Sequence, residues 1–175
     1  MTNNLVGLGD SNAKIFFYIK NRPPLIRYQN LTVVEALAAN EISAIGHETG
    51  NHWRKIFNVY AKLLFEITPK GFSSWQKLRD HALLQENSEN CLLFSPPNVS
   101  ALKSNKTLHV ILGKGYGEQL GFCNDCTWLS NDFAINEELG IIICPYFDYR
   151  QLSNRKIAQL SGLISQLSPR EQAIN

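Results

Sequence analysis

The sequence contains no long apolar run, no strong imbalance of charge and no repetitive or low-complexity tract. A membrane-spanning helix needs roughly 18 or more consecutive apolar residues, and no stretch of this chain approaches that length. The first ten residues lack the basic and apolar regions of a secretory signal peptide. We therefore expect a cytoplasmic protein with no membrane partner.

The net charge is small and cysteines are few. The 17 Lys and Arg residues almost balance the 15 Asp and Glu residues, and a net charge of +2 is too small to indicate a nucleic-acid partner by itself. The four cysteines are expected to be reduced, because no secretory signal accompanies them. Cys91 and Cys144 lie at the edges of apolar runs, where a free cysteine is usually buried.

The other two cysteines form a single CxxC pair, Cys123 and Cys126. A structural zinc site usually takes four ligands from two such pairs. A redox pair would be expected to open a helix, which lowers the thiol pKa, whereas Thr127-Trp128 follows here in an irregular segment. The sequence therefore predicts no metal site and no cofactor, and a zinc or redox module is a third, weaker hypothesis.

What the chain does contain is enough apolar sequence for one globular domain. Its 175 residues are 44% hydrophobic and 18% charged, and a chain of this size buries roughly two-thirds of its unfolded surface. Four apolar runs predict strands at 14–19, 91–94, 108–112 and 139–144. Continuous rather than alternating apolar strands indicate a sheet covered on both faces. We predict a three-layer α/β/α fold around a mostly parallel four-stranded sheet, with 1–13 and 169–175 as peripheral tails.

Several segments between these strands predict helices. A capping-box pattern at Thr32 and Glu35 indicates a first helix there. Apolar residues at helical spacing predict a helix from Trp53 to Leu64, after the start signal Gly50-Asn51. Further helices are predicted after Ser73, after Gly113 as far as Leu120, and after Ser153 or Asn154 as far as Leu167. The segment 122–136 reads equally well as a loop or a short hairpin.

Two motifs have both a functional and a structural interpretation. Gly113-Lys114-Gly115-Tyr116-Gly117 follows a strand, as phosphate loops do, but it fits neither the dinucleotide nor the Walker pattern. A tight strand-to-helix turn is the favoured interpretation. His47 and His52 are five residues apart, which does not give the single-face placement of an HExxH zinc site. They are interpreted as loop or helix-cap histidines, although either could touch a ligand.

The strongest candidate for a ligand site is the loop 146–154, between the last strand and the last helix. Three aromatic residues lie there beside Asp148 and Arg150. Aromatic faces stack nucleobases, and the planar arginine side chain binds phosphate. Asp148 could orient a water or accept a proton. In the alternative interpretation, the Tyr and Phe side chains pack under the sheet edge and Asp148 pairs with Arg150 on the surface.

The arrangement of strands and motifs resembles the uracil-DNA glycosylase-like superfamily over residues 14–167. The segment 108–121 looks like the strand-glycine-helix element of that superfamily, which ends in Leu-Gly, and 91–98 looks like its middle strand ending in Pro-Pro-Asn. The segment 144–154 occupies the place of its minor-groove loop. The resemblance implies a four-stranded parallel sheet between helices and, for an enzyme, hydrolysis of an N-glycosidic bond.

Two catalytic features of that superfamily are absent from this chain. No glycine-led loop follows the first strand, where Asn21 is the polar candidate, and Cys144-Pro145-Tyr146 stands where the family usually carries His-Pro-Ser or Asn-Pro-Ser. We expect a nucleobase, nucleotide or nucleic acid to bind at the carboxyl edge of the sheet. The alternative hypothesis is a non-catalytic protein-interaction module that kept the fold and lost the chemistry.

The expected roles in the first hypothesis follow from residue chemistry. Asn21 or Asp148 would hold a water if hydrolysis occurs. Tyr149 or Phe147 would stack a base, and Arg150 and Lys114 would meet phosphate. Gly113 and Asn154 complete the predicted ligand-binding set.

Overall fold

The structure is a computed structural model, and it describes residues 4–98, 102 and 107–168. Within these residues the strands are β1 (Gly7–Gly9), β2 (Ile15–Tyr18), β3 (Val34–Glu35), β4 (Asn90–Leu93), β5 (Leu108–Leu112), β6 (Thr127–Trp128), β7 (Ala134–Asn136) and β8 (Ile141–Cys144). The helices are α1 (Ile26–Gln29), α2 (Glu41–Thr49), α3 (Asn51–Ile67), α4 (Trp75–His81), α5 (Lys114–Leu120) and α6 (Asn154–Leu167). None of these described helices has the length and apolar character needed to cross a bilayer.

The strands form one mostly parallel sheet, which confirms the predicted α/β class. Its strand order is β3-β1-β4-β2-β5-β8-β7-β6. The four predicted strands are the central ones, β4, β2, β5 and β8, and each is parallel to its neighbour in this group. The predicted count of four is too low, because the sheet has eight strands. The missed strands are only two or three residues long, so they carry almost no hydrophobic pattern.

Residues 7–9 belong to the sheet, which corrects the assignment of 1–13 as a peripheral tail. Strand β1 pairs antiparallel with β4 and parallel with β3. Leu8 and Ala13 are buried. A side chain at Gly7 would collide with the carbonyl oxygen of Leu92, so glycine permits this close pairing. The second predicted tail, 169–175, lies outside the described residues.

Helices pack on both faces of the central strands. On one face, Phe17, Val110 and Ile142 belong to a large buried cluster that also contains residues of α3 and α6. On the other face, Phe16, Ile111 and Ile143 belong to a smaller cluster with Tyr116 of α5. Adjacent strand residues point to opposite faces, so the continuous apolar runs indicated this double coverage.

One predicted helix is wrong. The capping-box pattern at Thr32 and Glu35 lies in an extended segment, and Val34–Glu35 form β3. The β-branched pair Val33-Val34 favours a strand over a helix, and pairing with β1 satisfies its backbone. The other predicted helices are confirmed as α3, α4, α5 and α6, and the segment 122–136 contains the antiparallel pair β6–β7.

Candidate functional site

The carboxyl edge of the sheet brings together residues from four separate parts of the chain. Strands β2, β5 and β8 are parallel and end at the same edge. Asn21 follows β2, Gly113 follows β5 and Tyr146 follows β8. The first turn of α3 adds His52. In open α/β sheets, ligand sites form at this edge.

The hydroxyl of Tyr146 joins these elements. The Asn21 amide nitrogen Nδ2 donates a hydrogen bond to the Tyr146 oxygen at 3.3 Å. His52 Nε2 lies 3.0 Å from the same oxygen. The His52 and Tyr146 rings stack with their centroids 5.8 Å apart. A Cβ atom at Gly113 would lie 3.8 Å from the Tyr146 ring, so the glycine borders the same group.

The chemistry of this group depends on where its protons are. Burial raises the pKa of Tyr146, the charge of Asp148 raises it further, and the hydrogen bond from Asn21 lowers it. The phenol therefore keeps its proton at neutral pH. When His52 Nε2 lacks a proton, the hydroxyl donates to it, and when Nε2 carries one, the hydroxyl accepts. In the second state the phenolic proton is free to bind a ligand.

An open cleft of about 580 Å³ adjoins this group and is lined by Lys20, Asn21, Arg22, Pro24, Gln29, His52 and Trp53. The Arg22 side chain is occupied, because its Nη1 donates to the carbonyl oxygens of Tyr28, Gln29 and Leu31. Lys20 is exposed and has no ion-pair partner in the described part of the chain. Lys20 is therefore the cation that this cleft can offer to a ligand.

Asp148, the second residue with a predicted catalytic role, is held in an ion pair with Arg150. Its carboxylate accepts hydrogen bonds from Arg150 Nε at 3.1 Å and Nη2 at 3.0 Å, and from the Arg150 backbone N–H at 2.9 Å. Lys55 Nζ lies 3.9 Å away. Chiefly through the Arg150 hydrogen bond, the pKa of Asp148 falls from 3.8 to about 2. Such a carboxylate is a weak base, and its oxygens are already bonded.

The two neighbouring aromatic residues have opposite environments. Phe147 is fully buried and packs against Phe17 and Tyr60, with ring centroids 5.8 Å and 5.5 Å away. It cannot stack a base, so this predicted role is corrected. Tyr149 is 54% exposed, and the Lys55 ammonium lies 5.1 Å from its ring centroid. Of these two rings, Tyr149 is therefore the one that a ligand could reach.

The remaining predicted residues are more dispersed. The Arg150 side chain is 67% exposed but is bonded to Asp148. Lys114 is exposed, and its ammonium lies 4.9 Å from the ring centroid of Trp128. Asn154 is exposed as the first residue of α6. The structure thus forms one group around Tyr146 and an adjoining group around Asp148, with Lys114 in a contact of its own.

Sequence reasoning gave too little weight to His52, Lys55 and Tyr146. His52 and Lys55 are three residues apart at the start of α3, so they lie on the same side of the helix. Both contact the loop after β8. The sequence does show that these two polar residues lie beside the apolar stripe of the helix. It does not show which loop they would contact.

Burial affects both cysteines of the CxxC pair. Burial, followed by the neighbouring Cys123 and Asp125, raises the pKa of Cys126 to about 11, and the pKa of Cys123 is also raised, mainly by burial. Both thiols therefore stay protonated at neutral pH, which disfavours thiolate chemistry. Among the residues that the structure describes, no group of three or more His, Cys, Asp or Glu side chains could hold a metal ion.

Comparison with known proteins gives a family and nothing closer. No curated protein and no solved structure matches the chain. A protein family does match, and the match covers residues 6–165, which is most of the sequence. The chain belongs to this family, DUF6942, a family of unknown function.

Proposed function

We propose that this protein binds a nucleobase, nucleotide or nucleic acid at the carboxyl edge of its sheet. The observation that carries the proposal is the Tyr146 hydroxyl, which contacts both Asn21 and His52 beside an open cleft. These side chains offer an amide, an imidazole and a phenol, groups that can hydrogen-bond to the edge of a base.

We also propose a uracil-DNA glycosylase-like, three-layer architecture for the centre of the molecule. The four adjacent parallel strands β4, β2, β5 and β8 and the helical cores on both faces support it. The short strands on either side would then be additions to that centre.

Binding is better supported than hydrolysis. A hydrolase of this type needs a group that orients or deprotonates water. Asp148 is committed to Arg150, so Asn21 and His52 are the groups that remain next to the cleft. Tyr149 would stack a base, and Lys20 and Lys55 would approach the phosphates. An exposed stacking aromatic is worth about 1–3 kcal/mol per base.

The test is fluorescence anisotropy with labelled single-stranded and double-stranded DNA, with and without uracil or hypoxanthine, at low and moderate salt. We expect salt-dependent binding. Tyr149→Ala should weaken it roughly 5-fold to 100-fold through loss of stacking, and Asn21→Ala should also weaken it. Leu129→Ala is the matched control, because Leu129 is a comparably exposed apolar side chain in another part of the fold.

A parallel assay for base release separates binding from catalysis. Release that is abolished by Asn21→Ala would establish hydrolysis. Binding without release would establish a binding protein. If no strand binds at any salt concentration, the nucleic-acid proposal is wrong.

The second candidate is a non-catalytic protein-interaction module. The buried Phe147 and the Asp148–Arg150 ion pair favour it, because loop residues committed to packing and pairing need no ligand. In that case Asp148→Asn should lower stability without changing any nucleic-acid binding. A nucleic-acid complex that weakens on Tyr149→Ala would contradict this candidate.

A further inference from the structure

A second cleft of about 510 Å³ lies between helices α2, α3 and α4, and it shares no lining residue with the cleft at the sheet edge. Its polar lining includes His47 of α2, Arg54 and Asn58 of α3, and Arg79 and His81 of α4. Small-molecule sites in proteins commonly have volumes of roughly 300–1,000 Å³. The size of this cleft therefore suits a small ligand.

Some of the polar side chains around this cleft have hydrogen-bond partners, and others have none. Asp80 is already neutralised, because Arg79 Nε and Nη2 bond to its carboxylate at 2.8 Å and 3.3 Å. Arg79 Nη1 also donates to Asn58 at 2.8 Å. In contrast, the side chains of Arg54, His47 and His81 make no hydrogen bond or ion pair with the residues that the structure describes. The cleft thus has unused donors and no unpaired acid among its described lining residues.

Gly46 indicates that the position of Arg54 matters. Gly46 lies inside α2 and is buried, although alanine would favour the helix more than glycine does. A Cβ atom at this position would lie 2.7 Å from Cγ of Arg54. The glycine therefore allows the Arg54 stem to pass close to α2 on its way into the lining of the cleft.

We propose that this cleft binds a small phosphorylated ligand, with its phosphate held by Arg54, His47 and His81. A guanidinium group pairs with phosphate through parallel hydrogen bonds. The three donors come from three different helices around one cleft, and a phosphate group has enough oxygens to meet all of them, whereas a carboxylate has two. This site is separate from the proposed function at the sheet edge.

The experiment is isothermal titration calorimetry of the full chain with inorganic pyrophosphate. We expect saturable binding that weakens about tenfold or more in Arg54→Gln, because hydrogen bonds between charged groups are stronger than those between neutral ones. Lys77→Gln is the matched control, since Lys77 is an exposed cation on α4 outside the cleft lining, and it should bind as the unmodified protein does.

Two further variants make the result specific. Gly46→Ala keeps every charge but displaces Arg54, so it should weaken pyrophosphate binding while circular dichroism shows an unchanged fold. Asn21→Ala alters only the sheet-edge site and should leave pyrophosphate binding unchanged. The proposal is overturned if pyrophosphate does not bind, if Lys77→Gln weakens binding as much as Arg54→Gln, or if citrate binds equally well.

Discussion

His109 is a buried histidine whose two ring nitrogens both have partners. It lies on β5 and is 3% exposed. Its Nδ1 is 2.7 Å from the Tyr18 hydroxyl, and its Nε2 is 3.1 Å from the Thr107 hydroxyl. Burial lowers the pKa of His109 from 6.5 to about 4. At neutral pH the ring is therefore uncharged and serves as one donor and one acceptor.

This depressed pKa predicts acid sensitivity. Between pH 6.5 and about 4 the unfolded chain binds a proton at His109 and the folded protein does not, so the free energy of unfolding must fall as pH is lowered through this window. The contribution should approach ~3 kcal/mol, since each pKa unit corresponds to about 1.4 kcal/mol. Urea denaturation at a series of pH values measures it.

The control for this prediction is His109→Gln, which keeps hydrogen-bonding capacity and cannot titrate. Its free energy of unfolding should depend less on pH between pH 6.5 and 4 than that of the unmodified protein. An equal pH dependence in both proteins would assign the acid sensitivity to other groups.

Phe147 and Tyr149 provide a second prediction at the residue scale. Phe147→Ala should lower the free energy of unfolding by about 3–5 kcal/mol, because it empties a fully buried site. Tyr149→Ala should change it by less than about 1 kcal/mol, because that side chain is largely exposed. Chemical denaturation of both variants measures the difference, and similar losses would contradict the orientation of this loop.

At the scale of elements, the glycines of β1 support close pairing with β4. Gly9 has a φ of +119°, and an added side chain there would collide with the backbone carbonyl of Asn90. Gly9→Ala should therefore lower the free energy of unfolding by about 2–3 kcal/mol. Equilibrium denaturation with far-ultraviolet detection gives the value.

Gly162 is the matched control for Gly9. It lies within α6, and a Cβ atom there would meet nothing within 4 Å. Gly162→Ala should raise the free energy of unfolding by about 0.5–1 kcal/mol, because alanine favours the helix. Equal destabilisation by both substitutions would contradict the claim that the backbone at Gly9 requires glycine.

The elements differ in how far the sequence determines them. The central strands and helix α3 could be predicted, because each carries a long apolar pattern that its packing requires. Strand β3 could not be predicted, because its two residues form a strand only through pairing with β1, which lies far away in sequence. The capping-box pattern at Thr32 and Glu35 indicates a local preference for a helix, and the pairing with β1 overrides this preference.

The candidate site was predictable in position and less so in detail. The ends of β2 and β8 identified the edge where Asn21 and the loop after β8 meet. The sequence did not show which loop residues face inward, because a loop has no fixed period. Phe147 and Tyr149 are therefore distinguished only by the structure.

For the whole molecule, one continuous sheet predicts one cooperative unfolding transition. Trp53 lies in the large cluster beside the central strands, and Trp128 lies on β6 at the far edge of the sheet. In a Trp75→Phe/Trp128→Phe variant only Trp53 remains, and in a Trp53→Phe/Trp75→Phe variant only Trp128 remains. In each variant, fluorescence and circular dichroism should therefore report the same denaturation midpoint. Separate midpoints within one variant would show that the edge strands unfold independently.

The strand order also determines when the sheet can form during synthesis. Strand β2 lies between β4 and β5, yet both partners are translated long after it. As the chain is synthesised, β2 cannot pair on both sides until residues as far as Leu112 are available. Because distant pairings form slowly, the centre of the sheet around Phe16 and Phe17 is completed late in synthesis.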